Sequence, residues 1–387
     1  MEVLFVSHKY PPSVGGMEKQ SYELISGMAQ HAKVYKIVYT GEESYFQFFR
    51  KLNNRILQMI HTHPAISIIH FNDGLIATLS LLHSGYSHVK RVVTVHGLDV
   101  VFPLWIYQRM IIPKFNRFDH IIAVSNATAQ ALKERKVHQD KISVINNGID
   151  HSLYVEHSED QWVLVKNKYN IPNEKKILLM LGRPVKRKGF SWFISEVLPM
   201  LSDNILVVLV GPFQTETTKT ERMLRFLPSS LRNLYMLFMG YPSDQQALRF
   251  LLESPDIKSR AKHLGKLPQE DLKVLLSYSD IFLMPNIRVK GDMEGFGLVC
   301  LEASLSGSLV LASPIEGITD AIISEKNGRL VSSASPSAWK QEIEEILNDD
   351  STLSHNQRRF RDYTLKNYSW LKMTTQYARL FKAIDTK

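Results

Sequence analysis

The sequence is poor in cysteine, with Cys300 as the single example in 387 residues. No disulfide can therefore form within the chain, and disulfides are typical of proteins in oxidising compartments. The N-terminal residues also lack the basic start and the long apolar stretch of a secretory signal peptide. These absences predict a protein of the reduced cytoplasm.

Long apolar runs are absent as well. Crossing a bilayer takes roughly 18 to 20 uncharged apolar residues in succession. Residues 205–210 form only a short run, and residues 295–315 are interrupted by Glu302 and diluted by serine and glycine. If the protein meets a membrane, we therefore expect it to bind at the membrane surface.

No compositional bias excludes a globular fold. Hydrophobic residues make up 44% of the chain and charged residues 22%, while 19 glycines and 16 prolines exclude a collagen-like or disordered protein. A length of 387 residues exceeds one compact core and predicts two domains of roughly 150 to 200 residues each. Lysine and arginine outnumber aspartate and glutamate by 47 to 38, and the net charge of +9 favours anionic partners.

Short apolar runs alternate with helix-like segments along the chain. Because most of these runs are continuously apolar, they are typical of parallel strands buried on both faces. We predict two doubly wound α/β domains in tandem. The predicted strands lie at residues 3–6, 34–39, 66–71, 92–95, 121–124 and 142–145 in the first sheet and at residues 177–181, 205–210, 234–239, 281–284 and 309–312 in the second.

The connections between these runs place the ligand site. The pattern lapses at residues 150–175, which form the predicted linker. Between Gly211 and Gly265 the chain has room for two further helical segments, near residues 222–227 and 245–252. Ligands of doubly wound sheets bind at the carboxyl ends of the strands, so the predicted site is the cleft between the domains.

The first predicted strand leads to Gly15 and Gly16, which precede a helix whose apolar residues share one face. Glycine lets backbone N–H groups approach a ligand closely, and the unsatisfied donors at a helix start stabilise an anion such as a diphosphate. A turn that needs a positive φ angle would explain the same pair. Both interpretations stay open on this feature alone.

Four cations follow the first strand of the second domain, between Gly182 and a helix predicted near Phe190. Arginine offers a forked set of donors and lysine a mobile charge, so the cluster could neutralise a departing diphosphate. A solvated basic loop is the alternative. Nucleic acid is not expected, because no recognition helix, stacking pattern or zinc finger accompanies the cluster. The four cations are Arg183, Lys186, Arg187 and Lys188.

The most specific segment contains Glu294 and Glu302, eight residues apart. If a helix begins near Gly297, Glu294 lies in the loop before it and Glu302 faces inward after about one and a half turns. One carboxylate could then hold a sugar hydroxyl and the other a ribose, while N–H groups from Gly295 onward suit phosphate oxygens. Alternatively, Glu302 joins an internal network and Glu294 is solvated.

His96 ends another predicted strand and is followed by Gly97. In the predicted cleft, this histidine could donate a hydrogen bond to a substrate hydroxyl or help to orient one. It could also be a core histidine whose hydrogen bonds are satisfied within the protein.

Taken together, these stretches resemble the retaining GT-B glycosyltransferases of family 4, also called glycosyl transferases group 1. The resemblance spans nearly the whole chain. The matching motifs are the glycine-rich first loop (Gly15, Gly16), the His-Gly motif (His96, Gly97), the Arg-x4-Lys pair (Arg183, Lys188) and the Glu-x7-Glu motif (Glu294, Glu302).

The resemblance implies a role for each matching residue. Arg183 and Lys188 would bind the donor diphosphate, Glu294 the transferred sugar and Glu302 the ribose, with His96 near the reacting carbon. The implied catalytic residues are His96, Arg183, Lys188 and Glu294, and the implied donor-binding residues are Gly15, Gly16, Arg183, Lys188, Glu294, Gly295, Phe296, Gly297, Leu298, Val299 and Glu302.

Domain boundaries also follow from the resemblance. It implies an acceptor-binding Rossmann-like domain at residues 1–165 and a nucleotide-sugar-binding Rossmann-like domain at residues 166–370. A C-terminal helix at residues 371–387 would pack back on the first domain. The chain departs from the family at residues 316–320, where two glycines and a glutamate are common, and this departure puts the sugar contacts of that loop in doubt.

The implied function is transfer of a hexose or N-acetylhexosamine from a nucleotide diphosphate sugar to a hydroxyl of a saccharide or lipid-linked acceptor, with retention at the anomeric carbon. UDP-sugars are favoured, and GDP-mannose is an alternative donor. We expect a role in cell-envelope polysaccharide, lipopolysaccharide or glycolipid synthesis. We expect no cofactor and no metal, and the sequence has no Asp-x-Asp motif. The alternatives are a sugar-nucleotide epimerase or phosphorylase on the same fold, or a catalytically idle nucleotide-binding protein.

Residues 102–117 combine bulky apolar and aromatic side chains with three cations. Stretches of this kind bind anionic lipid surfaces, which would suit an enzyme with a lipid-linked acceptor. An ordinary packed helix is the alternative interpretation. The first interpretation predicts peripheral binding to the inner face of the cell membrane.

Overall fold

The computed structural model describes residues 1–214, 216, 223–224, 226, 228–240 and 243–386. The chain folds into two compact units, each built on one sheet of six parallel strands. This architecture confirms the predicted α/β class with two doubly wound domains. The first unit comprises Met1–Ile149, Met293–Phe296 and Tyr368–Lys387, and the second comprises Asp150–Asp292 and Gly297–Asn367.

The sheet of the first unit contains β1 (Glu2–Ser7), β2 (Lys33–Val38), β3 (Ile66–Phe71), β4 (Lys90–Val95), β5 (His120–Ala123) and β6 (Ile142–Val144). Neighbouring strands are parallel throughout, in the order β2-β1-β3-β4-β5-β6. The carboxyl ends of all six strands therefore meet at one edge. Residues 3–6 of β1 are fully buried, as expected for a central strand covered on both faces.

Helices of the first unit connect these strands. In α2, Phe48, Leu52 and Ile56 recur every fourth residue and are buried, which accounts for the packing of this helix by one face. A π-helical turn (Tyr107–Ile111) and a 3₁₀ segment (Ile112–Arg117) lead to β5. The α-helices are α1 (Gly16–Met28), α2 (Tyr45–Thr62), α3 (Gly74–Ser80), α4 (Leu98–Val101) and α5 (Asn126–Glu134).

The sheet of the second unit contains β7 (Lys176–Leu181), β8 (Ile205–Val210), β9 (Ala261–His263), β10 (Ile281–Met284), β11 (Leu309–Ala312) and β12 (Arg329–Leu330). These strands are also parallel, in the order β12-β11-β10-β7-β8-β9. Four of them match predicted strands, whereas β9 and β12 are too short to give an apolar run in the sequence.

The α-helices of the second unit are α6 (Glu159–Tyr169), α7 (Phe190–Trp192), α8 (Ser229–Phe238), α9 (Gln245–Glu253), α10 (Pro255–Lys258), α11 (Gln269–Tyr278), α12 (Leu298–Ser306), α13 (Ile318–Ala321), α14 (Pro336–Leu347) and α15 (Asp350–Asn367). A π-helical turn (Phe193–Val197) and a 3₁₀ turn (Leu198–Met200) continue α7.

The prediction of a strand at residues 234–239 was wrong. These residues lie in α8 and directly after it, and β9 occupies the position beside β8 instead. The apolar residues Leu231, Tyr235 and Phe238 recur at spacings of four and three, which is the helical period. The helix predicted at residues 245–252 is α9, while residues 222, 225 and 227 of the other predicted helix lie outside the described residues.

The first unit gives way to the second before α6 rather than within it. The predicted boundary between residues 165 and 166 falls inside this helix. Trp162 and Val165 pack in the core of the second unit, and the Trp162 ring stacks on Tyr278 at 5.4 Å. Because α6 contributes to that core, it is part of the second unit.

The last helix, α16 (Trp370–Asp385), packs on α1 within the first unit, which confirms the predicted return of the C-terminal helix. The hydroxyl of the fully buried Tyr377 accepts a hydrogen bond from Gln20 Nε2 at 3.4 Å and lies 2.9 Å from Thr94 Oγ1. No described helix is both long and apolar enough to span a membrane.

Candidate functional site

The loop from β1 to α1 carries the predicted glycine pair. Gly15 has an extended backbone with φ of 172°, and Gly16 begins α1. Neither glycine adopts the left-handed conformation, so the requirement of a left-handed turn does not explain the pair. A Cβ atom at Gly15 would instead meet the carboxylate of Glu18, whose Oε1 lies 3.8 Å from the Lys9 ammonium.

His96 follows β4 directly and is held on two sides. Its Nε2 lies 2.9 Å from the backbone carbonyl oxygen of Asn72, and its backbone N–H donates to Asp99 Oδ1 at 2.8 Å. Nε2 is the donor in this contact, because a carbonyl oxygen can only accept. The histidine is therefore oriented at the carboxyl edge of the first sheet.

The structure brings His96 and Gly97 together with the loop that contains Glu294. A Cβ atom on Gly97 would lie 2.9 Å from the Cα atom of Gly295 and 3.3 Å from Met293 Sδ, and a Cβ atom on Gly295 would strike the His96 carbonyl. Gly97 also has a φ angle of 105°, which side chains rarely adopt. The His-Gly motif therefore permits a close backbone approach between two predicted site segments.

A second histidine at the same edge was missed in the sequence. His8 follows β1, and its Nδ1 lies 2.8 Å from Asp73 Oδ2 in a buried pair. Burial opposes the charge of Asp73, but the hydrogen bond and charge of His8 hold the pKa of Asp73 below its ordinary value. Asp73 also caps α3 by accepting the Ile76 N–H at 2.9 Å. Polar residues placed directly after β1 and β3 were the available sequence signal.

Asp99 completes this polar edge. Its carboxylate accepts hydrogen bonds from the backbone N–H groups of His96 at 2.8 Å and of Gly74 at 3.0 Å. Burial raises the pKa of Asp99, although these donors and the nearby imidazole act in the opposite direction. Asp99 thus positions His96 through its backbone.

In the second unit, Arg183 and Lys188 lie close to Gly182, which follows the carboxyl end of β7. The Lys188 side chain is buried, and a Cβ atom on Gly182 would lie 3.3 Å from its Nζ atom. Arg183 is exposed and donates from Nη1 to the carbonyl oxygen of Gly240 at 2.6 Å. Both cations of the predicted pair therefore lie at the strand end where doubly wound sheets bind ligands.

The other two cations of the cluster have different surroundings. Arg187 forms an ion pair with Asp292, with 3.2 Å between Nη1 and Oδ2. Lys186 is exposed, and its backbone N–H donates to Ser243 Oγ at 3.1 Å. The solvated-loop interpretation describes Lys186 but does not describe the buried Lys188.

Helix α12 begins where the Glu-x7-Glu motif predicted. Gly297 caps its start in a left-handed conformation with φ of 87°, and the N–H groups of Leu298 and Val299 lie in the first turn of the helix. Such N–H groups are the donors that helix starts offer to anions. Glu302 is half-buried in the second turn.

The remaining motif residues divide between the units. Glu294, Gly295 and Phe296 belong to the first unit, where the buried Phe296 ring lies 6.4 Å from the ring of Tyr368. Gly297 and Glu302 belong to the second unit. A common ligand for the two glutamates stays a prediction.

Two family models match the chain. The chain matches the sequence model of glycosyl transferases group 1 over residues 164–366, which is 203 of 387 positions, or more than half. The chain belongs to the glycosyl transferases group 1 family. Residues 14–153 also match the model of Glycosyltransferase Family 4. The two matches together include every predicted site residue.

Curated relatives of this family member are distant. D-inositol 3-phosphate glycosyltransferase of Corynebacterium efficiens is 25% identical over 251 residues, which cover 64% of this chain and 52% of the relative. A putative colanic acid biosynthesis glycosyltransferase, WcaL of Salmonella typhimurium, is 23% identical over 331 residues, with 82% and 70% coverage. The chain spans about half the length of the D-inositol 3-phosphate glycosyltransferases it matches.

Solved structures share the whole fold. Anabaena HepE in complex with UDP and glucose superposes with a TM-score of 0.73 at 18% identity, covering 99% of this chain and 100% of HepE. The catalytic domain of starch synthase IV from Arabidopsis thaliana, bound to ADP and acarbose, gives 0.73 at 15% identity, with 100% and 99% coverage. The family member therefore has the two-domain α/β fold of GT-B glycosyltransferases.

Proposed function

We propose that the protein is a retaining glycosyltransferase that uses a nucleotide diphosphate sugar. The observation that carries this proposal is the placement of the buried Lys188 beside Gly182 and of Arg183 directly after it, at the ligand-binding end of β7. Fixed cations at such a position suit the diphosphate that separates from a sugar. Membership of the glycosyl transferases group 1 family supports the same reaction class.

The proposed roles follow the motifs. Arg183 and Lys188 offset the charge of the departing diphosphate, and the N–H groups of Leu298 and Val299 donate to phosphate oxygens. Glu294 binds the transferred sugar and Glu302 the ribose. The orientation of His96 by Asn72 and Asp99 supports a role beside the reacting carbon.

The proposed reaction retains configuration. The bond between the anomeric carbon and the diphosphate oxygen breaks, and the acceptor hydroxyl forms a new bond on the same face of the sugar. The departing phosphate oxygen takes the acceptor proton, so the step needs no protein base. The acceptor attacks the anomeric carbon directly, so no protein nucleophile takes part, and Arg183 and Lys188 offset the diphosphate charge in place of a metal.

A UDP-sugar is the favoured donor, and GDP-mannose is the alternative. The full-length fold match to HepE in complex with UDP-glucose supports the first choice. A hydroxyl of a saccharide or lipid-linked acceptor receives the hexose or N-acetylhexosamine. We place the reaction in cell-envelope polysaccharide or glycolipid synthesis at the cytoplasmic side, as the WcaL relative and the fold match to WaaG, involved in lipopolysaccharide biosynthesis, suggest.

Thermal shift measurements with UDP-, GDP- and ADP-sugars test the donor site, because a ligand that binds the folded state raises the melting temperature. We expect one nucleotide class to raise it, and we expect Lys188→Ala to abolish that increase. Lys186→Ala removes the same charge from the exposed side of the same turn and is the matched control. An unchanged nucleotide response in Lys188→Ala would contradict the site assignment.

Turnover distinguishes an enzyme from a nucleotide-binding protein. Once thermal shift has identified the nucleotide class, release of free nucleotide from the corresponding sugar donor measures turnover. We expect Glu294→Ala to fall below about one hundredth of the wild-type rate while its melting temperature stays within a few degrees. Binding without turnover in the wild type, across the donor panel, would favour a catalytically idle protein.

A further inference from the structure

Four large apolar side chains near the end of β4 point into solvent. Leu104 is 43% exposed, Trp105 64%, Ile106 53% and Met110 52%. They occupy a stretch of seven positions in the first unit, and we call them the apolar patch. Scattered apolar residues are common on protein surfaces, but a contiguous group of this kind usually marks a contact site.

The segment that carries the apolar patch is firmly attached to the unit. The hydroxyl of Tyr107 donates to the Asp99 carbonyl at 2.6 Å, and Gln108 Nε2 donates to the carbonyls of Val100 at 2.9 Å and Phe102 at 2.7 Å. Tyr107 and Gln108 are thus half-buried and hydrogen-bonded to the unit, while the apolar patch around them is exposed. The neighbouring Ile112 and Phe115 are fully buried and provide the anchorage in the core.

The charged residues within the stretch that carries the apolar patch all have the same sign. Residues 100–118 contain no aspartate or glutamate, whereas Arg109, Lys114 and Arg117 are all at least partly exposed. The Arg109 guanidinium lies over the Trp105 ring at 6.0 Å from its centroid. A partner for this surface must therefore accept apolar side chains and cations side by side.

We propose that the apolar patch and its three cations bind the surface of an anionic lipid bilayer. Anionic headgroups attract lysine and arginine, and the acyl boundary beneath them receives tryptophan, leucine and isoleucine. Trp105 and Ile106 enter this boundary, while Arg109, Lys114 and Arg117 stay among the headgroups. A helix that spans the bilayer is not required for binding of this kind.

The position of the apolar patch gives it a use in the proposed reaction. Helix α4 starts at the carboxyl edge of the first sheet, directly after His96 and Gly97, and the patch begins within ten residues. A bilayer docked there would deliver a lipid-linked acceptor hydroxyl to that edge. This identification of a lipid-linked acceptor rests on the glycosyl transfer proposed above, whereas the bilayer contact itself does not.

Vesicle flotation with the full chain tests the surface. We expect the protein to float with phosphatidylcholine vesicles that contain phosphatidylglycerol and to stay unbound with phosphatidylcholine alone, and we expect salt to weaken the binding. The variants Trp105→Ser/Ile106→Ser and Arg109→Gln/Lys114→Gln should each bind at least about tenfold more weakly. Leu82→Ser is the matched control, because Leu82 is an 85% exposed leucine that follows the far end of α3.

Three outcomes would overturn the proposal. The first is equal flotation of the wild type with and without phosphatidylglycerol, and the second is undiminished binding of both patch variants. The third is a wild-type dimer that Trp105→Ser/Ile106→Ser converts to a monomer in analytical ultracentrifugation, since a second copy of the chain would then cover the patch.

The change in melting temperature on nucleotide binding shows whether a failure concerns the lipid surface or the proposed glycosyl transfer. Both patch variants keep Arg183 and Lys188, so we expect each to retain the nucleotide-dependent increase in melting temperature. A protein that floats with anionic vesicles but binds no nucleotide would refute the glycosyl transfer and leave the lipid surface in place.

Discussion

At the scale of single residues, a buried pair of polar side chains lies at the carboxyl edge of the first sheet. His8 and Asp73 are both buried and 2.8 Å apart. A buried carboxylate such as that of Asp73 is tolerated because a hydrogen-bonding partner satisfies it. Asp73 also holds the start of α3 through the Ile76 N–H. The pair therefore joins β1, β3 and α3 at the point where the acceptor-binding edge is predicted.

We predict that His8→Ala lowers the free energy of unfolding by about 3 kcal/mol, because it leaves the buried Asp73 carboxylate without the imidazole. Urea denaturation at neutral pH measures this change. His61→Ala is the control, since His61 is exposed in the last turn of α2 and should change stability by less than about 0.5 kcal/mol. Equal effects of the two substitutions would show that the pair contributes nothing beyond its packing.

At the scale of whole elements, the position of α16 is determined at the start of the helix as well as along its buried face. Ser369 Oγ accepts the Lys372 N–H at 3.0 Å and so satisfies one donor of the first turn. Gly148 lies against the backbone of Ser369 and Trp370, where a Cβ atom would clash. The helix therefore enters the first unit at a point defined both by its cap and by a close backbone contact.

Removing the cap should weaken this element measurably. We predict that Ser369→Ala destabilises the protein by about 1 kcal/mol, as expected for an N-cap hydroxyl. Thermal unfolding monitored by circular dichroism reports the change. Thr375→Ala removes a hydroxyl from the same helix, where it donates to the Leu371 carbonyl at 2.7 Å, and should leave the melting temperature nearly unchanged. A loss as large in Thr375→Ala would argue against capping as the cause.

The molecule as a whole is expected to lose stability in mild acid. His70 is buried in the first unit, and burial lowers its pKa from 6.5 to about 3. His263 is half-buried in the second unit, where its ring stacks on Phe213 at 4.2 Å, and burial lowers its pKa to about 4. Both histidines stay neutral in the folded state while the unfolded chain takes up protons below pH 6.5, so stability falls as the pH decreases.

We predict that His70→Phe reduces this pH dependence. Between about pH 6 and pH 4 a single neutral histidine contributes a slope of about 1.4 kcal/mol per pH unit to the free energy of unfolding. The variant lacks this contribution, and its phenyl ring suits neighbours such as Phe5 and Phe381. Urea denaturation across this range compares the slopes. Parallel curves for wild type and variant would mean that His70 already titrates in the folded state.

Much of the architecture follows from local pattern. The continuous apolar runs at residues 205–210, 281–284 and 309–312 became strands with those same limits, because a run apolar at nearly every position is buried only when both faces of a sheet are covered. Residues 234–239 show where pattern was insufficient. A six-residue apolar run satisfies strand and helix alike, and the longer spacing from Leu231 onward distinguishes the two.

The candidate site likewise has features that follow from local sequence and features that depend on tertiary packing. Sequence alone determined which residue types follow β4 and β7 and where α12 begins, since turns, glycines and helix starts are set by neighbouring residues. Only the tertiary structure decided that Gly97 meets Gly295, that His8 pairs with Asp73, and that Lys188 is buried beside Gly182 while Lys186 is exposed. These contacts join residues of different elements or depend on how a turn packs against the sheet. Local sequence pattern does not specify them, because burial and pairing arise from packing in three dimensions.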